Sequence, residues 1–289
     1  MTTALAIALA GTSFAQQAGT GTSKEVAVAE FTGRVQDRTF QSQSLSRSMR
    51  YRVLLPRDYN SGNFYPVLYL LHGWHGDHEN WTTLTNLTGY TKNLGLIVVM
   101  PDAEDSWYAD SATTPQDKFE QYIVHDLISD VESHWHVLRS PHHRAIAGLS
   151  MGGYAAIKFA LKYPDMFAAA ASLSGAFNAP SPELAETRSD LRPSLEHAFG
   201  PASSKTRSEN DVYSLASNVN PIAVPYLFIA CGYQDTTFLA PNRKLVAILS
   251  QRNFHYEYHE HRGAHSWQYW DERLPEILNV TMKHIADEH

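Results

Sequence analysis

"RAIAGLSMGGYAAIKFAL", running from Arg144 to Leu161, is the stretch whose reading decides the fold. Its first half is a short apolar run, and from Met151 onward Ala155, Ala156, Phe159 and Ala160 recur at helical spacing. Ser150 therefore falls where a buried strand turns into a helix. Gly148, Ser150 and Gly152 form G-x-S-x-G, a pattern that carries meaning in a strand-turn-helix setting. A serine on so tight a turn takes strained backbone angles, and neighbours without a Cβ leave room for strand and helix to cross. The turn lifts the hydroxyl out of the sheet and aims the Met151 N–H at the same spot. That spot also lies at a helix N-terminus, where developing negative charge is favoured.

Outward from this stretch the chain repeats the same rhythm. "PVLYLLHG", "LGLIVVMPD", "HRAIAGLS", "FAAAASLSG" and "PYLFIACG" are nearly continuous apolar runs ending in polar or turn residues, the mark of strands buried on both faces of a parallel sheet. Helical patterns separate them over Phe119 to Val137, Met151 to Tyr163, Phe238 to Gln251 and Trp267 to Ala286. The alternation predicts an α/β fold with a mostly parallel central sheet and helices on both faces. Before it, from about Val26 to Pro56, alternation such as "MRYRVLLP" predicts antiparallel strands opening the sheet. The interval 176–220, rich in Pro, Ser and charge, breaks the rhythm. It reads as an insertion placed after a strand's carboxyl end, able to cover a crevice there as a lid.

The 289 residues suit one large domain, 26–289, preceded by an apolar segment at 1–15 that resembles an export signal and a flexible linker at 16–25. That segment is too short to span a bilayer. A formal net charge of -7 and no basic tract argue against a nucleic-acid partner. The single cysteine, Cys231, excludes an internal disulfide and a multi-thiolate metal site. No heptad or apolar patch announces an oligomer.

A serine hydroxyl is a poor nucleophile until a base takes its proton, and the base needs an acid to fix its tautomer. On a sheet of this kind the partners follow the serine in the order acid, then histidine, each just past a strand. "PYLFIACGYQD" delivers Asp235, and "FHYEYHEHRGAHSW" delivers His265. Asp211 is the rival acid but falls in the insertion, and Asp102 precedes the serine. Of the other histidines, His255, His259 and His261 share one face of an alternating strand and could in principle collect a metal, although Glu257 and surface exposure explain them equally well. His134 and His136 read as solvated helix residues facing different ways, and His142 and His143 as turn residues. The second oxyanion donor is expected in "LYLLHGWHGDHENW": Gly73 lets the backbone approach a reacting carbonyl, so the Trp74 N–H pairs with that of Met151, while His72 orders the loop. No metal and no organic cofactor is needed for such chemistry.

Together "LLHGWHGDHENW", "GLIVVMPDAEDSWYAD", "AGLSMGGYAAIKFALKYPDMFAAAASLSG" and "GAHSWQYW" resemble the esterase D family of α/β-hydrolases, in particular its tributyrin-esterase and feruloyl-esterase-type members. The resemblance spans about Leu45 to Leu278. It implies a catalytic triad on Ser150, Asp235 and His265, in agreement with the chemical reading. It also implies that Trp107 and Tyr108, with Trp267 beside the histidine, line the acyl or alcohol pocket, whereas Trp270, a helical step behind Trp267, reads as core. The expected activity is a serine carboxylesterase acting on short acyl or aromatic esters, free or linked to polysaccharide. The alternatives are an acyltransferase to a sugar hydroxyl, as in the family's mycolyl-transferring members, an S-formylglutathione hydrolase, against which an export leader would argue, or a binding module without chemistry.

Overall fold

The computed structural model describes residues 34–60 and 62–285. The expected export segment 1–15, the linker 16–25 and the first residues of the domain lie outside the described residues. Eight strands form one sheet: β1 (Val35–Ser42), β2 (Arg47–Leu54), β3 (Val67–Leu71), β4 (Ile97–Pro101), β5 (Arg144–Leu149), β6 (Ala169–Leu173), β7 (Tyr226–Gly232) and β8 (Tyr256–His261). Their order across the sheet is β1-β2-β4-β3-β5-β6-β7-β8. β1 and β2 pair antiparallel, β2 meets β4 antiparallel, and from β4 to β8 every pairing is parallel. β3, β4, β5 and β6 are buried at every position, as their unbroken apolar runs require.

The chain leaves β3 toward β4 on one side and later returns to lay β5 on the other. The loops after β3 and β5 therefore part company, and they open the crevice in which open α/β sheets bind ligands. The helix Met151–Lys162 lies beneath one face and is buried from Met151 to Leu161. On the opposite face Trp270, Leu274, Ile277 and Leu278 of the helix Trp267–Ile285 pack on β5 and β6 residues such as Ala147 and Ala171. Small alanines along β5 and β6 let both helices approach closely.

The helices expected from periodicity are present, with two differences. The segment from Phe119 runs as α-helix to Gln121, as a π-helical turn over Tyr122–Leu127 and as α-helix over Ile128–His134. Trp135 is extended, so His136 lies beyond the helix rather than on it. In the π turn, Asp126 Oδ2 accepts from Ser42 Oγ (2.5 Å) and the Ser44 N–H (2.8 Å), tying the widened turn to the end of β1. The second difference is the interval 176–220, which folds as four short helices, Pro182–Thr187, Arg192–Phe199, Lys205–Glu209 and Val212–Asn218. Ser181, Ser204 and Asp211 cap three of them by accepting from the N–H groups of Glu183, Thr206 and Tyr213. Asp211, the rival acid, is thereby occupied as a helix cap. Among the described residues no helix is long and apolar enough to cross a membrane.

Candidate active site

Ser150 adopts φ 52° and ψ -114°, a conformation that L-residues avoid. Its N–H donates to the Leu173 carbonyl (2.9 Å), and its own carbonyl accepts from Tyr154 (2.9 Å) and Ala176 (3.1 Å). Flanking glycines are obligatory here. A Cβ on Gly152 would lie 2.5 Å from the carbonyl oxygens of both His72 and Leu71, and one on Gly148 would collide with the Gly152 backbone. Strand, turn and helix can meet only without those side chains.

β7 and β8 bring in the two partners. Past their ends the loops are stitched together, Tyr233 N–H donating to the His261 carbonyl (2.8 Å) and Gln234 N–H to that of Gly263 (2.9 Å). His265 Nδ1 thus lies 2.7 Å from Asp235 Oδ2, and His265 Nε2 lies 3.0 Å from Ser150 Oγ. Asp235 is buried, and its Oδ1 accepts from the Phe238 N–H (3.0 Å), which fixes the carboxylate plane. The imidazole is packed between the Phe238 ring (centroids 4.9 Å) and the edge-on ring of Trp270 (4.8 Å, 89°). Residues 30 and 115 positions apart meet within hydrogen-bond distance.

On the other side of Ser150 stands the loop after β3. A Cβ on Gly73 would lie 2.6 Å from Leu149 Cδ1 and 3.4 Å from Ser150 Cβ, so the loop rests directly on the serine turn and a side chain here would have to displace Leu149. His72 is fully buried, and burial lowers its pKa, against the opposing pull of its bond to Gly73 and of nearby carboxylates. The Ala103 N–H donates to its Nε2 (3.0 Å), so the proton resides on Nδ1, which donates to the Gly73 carbonyl (2.7 Å). That carbonyl also accepts from the Gly76 N–H (3.0 Å). Because the Gly73 carbonyl and the Trp74 N–H share one peptide plane, this clamp fixes the direction of the amide. The Met151 N–H opens its helix and belongs to the turn that has no intrahelical acceptor.

Ser150 and His265 face a cavity of about 180 Å³ walled by Trp74, Trp107, Leu191, Phe238, Trp267 and Trp270, with Asn80 and Arg188 also on its lining. Asp235 is buried behind the imidazole and off the cavity. Trp107 lies in the wall, buried, with its Nε1–H donating to Ser194 Oγ (3.0 Å) in the insertion. Trp267 borders the cavity and stands edge-on to Trp81 (5.5 Å, 86°). Tyr108 does not reach it. It is fully buried, and its hydroxyl donates to the His72 carbonyl (3.1 Å), so the sequence expectation of a substrate contact is corrected. Trp270, expected in the core alone, is buried and also forms cavity wall, since the helix begins at Trp267, two residues after His265, and its first turn still borders the site.

Elsewhere His259 pairs with Glu257 (3.2 Å) and His261 with Glu276 (3.3 Å). Among the described residues one group, Asp37, His78 and Glu79, brings ligand-type atoms within 4.8 Å of one another. There the Arg52 guanidinium already binds Asp37 through two nitrogens (2.6 and 2.8 Å) and lies 3.4 Å from Glu79, so these carboxylates carry their cation. Cys231 is buried, and its thiol is pushed up to about 12 by burial and the nearby Asp235 charge, which keeps it out of nucleophilic chemistry.

A mostly parallel eight-stranded sheet, with a strained serine on the turn after its central strand, is the α/β-hydrolase fold. Residues 42–281 match the family described as "Putative esterase". An acetyl esterase from Caldicellulosiruptor saccharolyticus is 26% identical over 252 residues, covering 81% of this chain and 93% of the relative. Among solved structures, the serine hydrolase FphF of Staphylococcus aureus superposes with a TM-score of 0.75 at 29% identity, covering 88% of this chain and 98% of that one. A ferulic acid esterase gives 0.72 at 25% identity, with 86% and 98% covered. The chain belongs to this esterase family and is a carboxylic ester hydrolase.

Proposed function

We propose that the protein hydrolyses short-chain acyl or small aromatic esters through an acyl-enzyme on Ser150. The contact chain from Ser150 Oγ to His265 Nε2 (3.0 Å) and from His265 Nδ1 to Asp235 Oδ2 (2.7 Å), at the edge of a compact aromatic cavity, carries this reading. In the first step Ser150 Oγ attacks the ester carbonyl while His265 Nε2 takes its proton. Asp235 holds the proton on Nδ1 and stabilises the imidazolium. The tetrahedral oxyanion sits between the N–H groups of Trp74 and Met151, at the positive end of a helix. His265 then returns its proton to the leaving alkoxide, and the ester C–O bond breaks. In the second step water attacks the acyl-enzyme with His265 again as base, releasing the acid and restoring the serine.

Cavity size and lining support the substrate class. A space of about 180 Å³ that combines the rings of Trp107, Phe238, Trp267 and Trp270 with the polar side chains of His75, Asn80 and Arg188 suits a short or flat acyl group better than a long chain. The named acetyl and ferulic acid esterases point the same way. The test is a hydrolysis panel of p-nitrophenyl acetate, butyrate and octanoate, methyl ferulate and acetylated xylan, repeated with added sugar alcohol. kcat/KM should fall from acetate to octanoate. A preference for octanoate would contradict the acyl assignment, and transfer exceeding hydrolysis would make the protein an acyltransferase.

A further inference from the structure

Trp107 (φ 56°) and Tyr108 (φ 52°) are consecutive non-glycine residues in the left-handed region. Such a pair persists only where its surroundings over-determine it. Three bonds hold Tyr108: its N–H donates to Ser106 Oγ (3.1 Å), its carbonyl accepts from Lys158 Nζ (2.6 Å), and its hydroxyl donates to the His72 carbonyl (3.1 Å). Lys158 belongs to the helix that begins at Met151, is fully buried, and is paired with Glu120 (2.9 Å). Glu120 is held in turn by Lys162 (2.5 Å) and by the Tyr163 hydroxyl (2.6 Å).

The bond from Tyr108 ends on a sensitive atom. The His72 carbonyl shares its peptide plane with the Gly73 N–H, one unit before the plane that carries the Trp74 N–H. The same oxygen is one of the two that a Cβ on Gly152 would strike, so it marks where the loop after β3 rests against the first turn of the serine's helix. We propose that Tyr108 is a positioning residue for the oxyanion-binding loop: its phenol holds the His72 carbonyl and, anchored by Lys158 through its own carbonyl, ties the loop to the helix so that the Trp74 and Met151 amides converge on one point. Burial raises the phenol well above its ordinary pKa, so it stays a donor. The inference rests on the reading of those two amides as the oxyanion site.

Tyr108→Phe removes one hydroxyl and keeps the ring against His72. The informative readout compares a carbonyl ester with the matching thionoester, whose sulfur is a weak hydrogen-bond acceptor and gains little from aligned amides. For wild type the carbonyl ester should be strongly preferred. In Tyr108→Phe, kcat on the carbonyl ester should fall about tenfold to thirtyfold, less than for removal of a whole oxyanion donor. KM should stay within about twofold and thionoester turnover within about threefold, so that the carbonyl preference shrinks by roughly tenfold. A loss of folded protein would instead lower both substrates together. Lys158→Met should give the same signature at smaller amplitude, and it decides the matter if Tyr108→Phe does not fold. An unchanged preference in the variants, with wild type discriminating, overturns this role alone. A raised KM with kcat intact would make Tyr108 a substrate contact and overturn it too. A wild type that does not discriminate overturns the amide assignment and this inference with it.

Discussion

The N–H of Ser150 donates to the carbonyl of Leu173 across 2.9 Å, so the strand beside the serine's own strand holds the strained turn in register. The φ of 52° at Ser150 is therefore a property of the sheet as well as of the turn. The hydroxyl is presented by backbone geometry that no side-chain change nearby can readily supply.

Gly152→Ala tests how little room that geometry leaves. Its Cβ would meet two backbone oxygens at 2.5 Å, and backbone cannot rotate aside as a side chain can. The substitution should destabilise the protein by about 1–3 kcal/mol. The folded fraction should also lose activity, because relief requires moving the loop that carries Trp74. Urea unfolding followed by assay of the folded protein checks both, and unchanged stability with unchanged kcat would mean that the turn is looser than described.

Asp235→Asn keeps the shape of the acid but reverses the hydrogen-bond demand on His265 Nδ1. The imidazole would then carry its proton on Nε2, facing Ser150, and kcat should fall about 10⁴-fold. A near-normal rate would move the acid elsewhere, although Asp211, as a helix cap, is already committed.

Much of this site was legible in the sequence, and the parts that were not share a cause. Gly148, Ser150 and Gly152, the apolar strands and the acid-then-histidine order are local or topological signals, and they led to the three side chains that meet. Tyr108 was misread because two adjacent aromatic residues in one loop look alike until backbone angles decide which ring faces the cavity. Trp270 sits at core spacing from Trp267, and its second role depends on where the helix starts. The helices of the insertion span only five to eight residues, and Pro182 and Pro193, which sit in their first turns, read as loop signals.

Acid sensitivity below pH 4.5 should trace to Glu120. Burial alone would raise its pKa, but the charges of Lys158 and Lys162 and the bonds to Lys162 and Tyr163 outweigh it and hold it down at about 2, below the ordinary carboxylate value of 4.5. A carboxylate with a depressed folded-state pKa contributes stability that is fully present above pH 4.5 and is lost as pH falls toward 2. Urea midpoints at pH 7, 4.5 and 3 should fall over both intervals, the upper one through buried His72, whose depressed pKa withdraws stability as pH falls below 6.5, and the lower one through Glu120. Glu120→Gln should therefore flatten the decline between pH 4.5 and 3 alone. An equally steep decline in the variant would assign the acid transition to another group.

Leu191, buried in the cavity wall, belongs to the insertion. Leu191→Ala enlarges the space without touching Ser150, Asp235 or His265. The ratio of kcat/KM for p-nitrophenyl octanoate to that for acetate should rise roughly tenfold, the order expected for apolar groups gained in a pocket. A ratio that does not move would place the acyl chain on another wall.

The central claim is that Ser150 Oγ becomes covalently bound during turnover. Reaction with a fluorophosphonate, followed by proteolysis and mass spectrometry, reads the modified residue directly. Stoichiometric label on the peptide containing Ser150, absent after Ser150→Ala, is the expected result; label on a different residue, or none on active protein, would contradict the account.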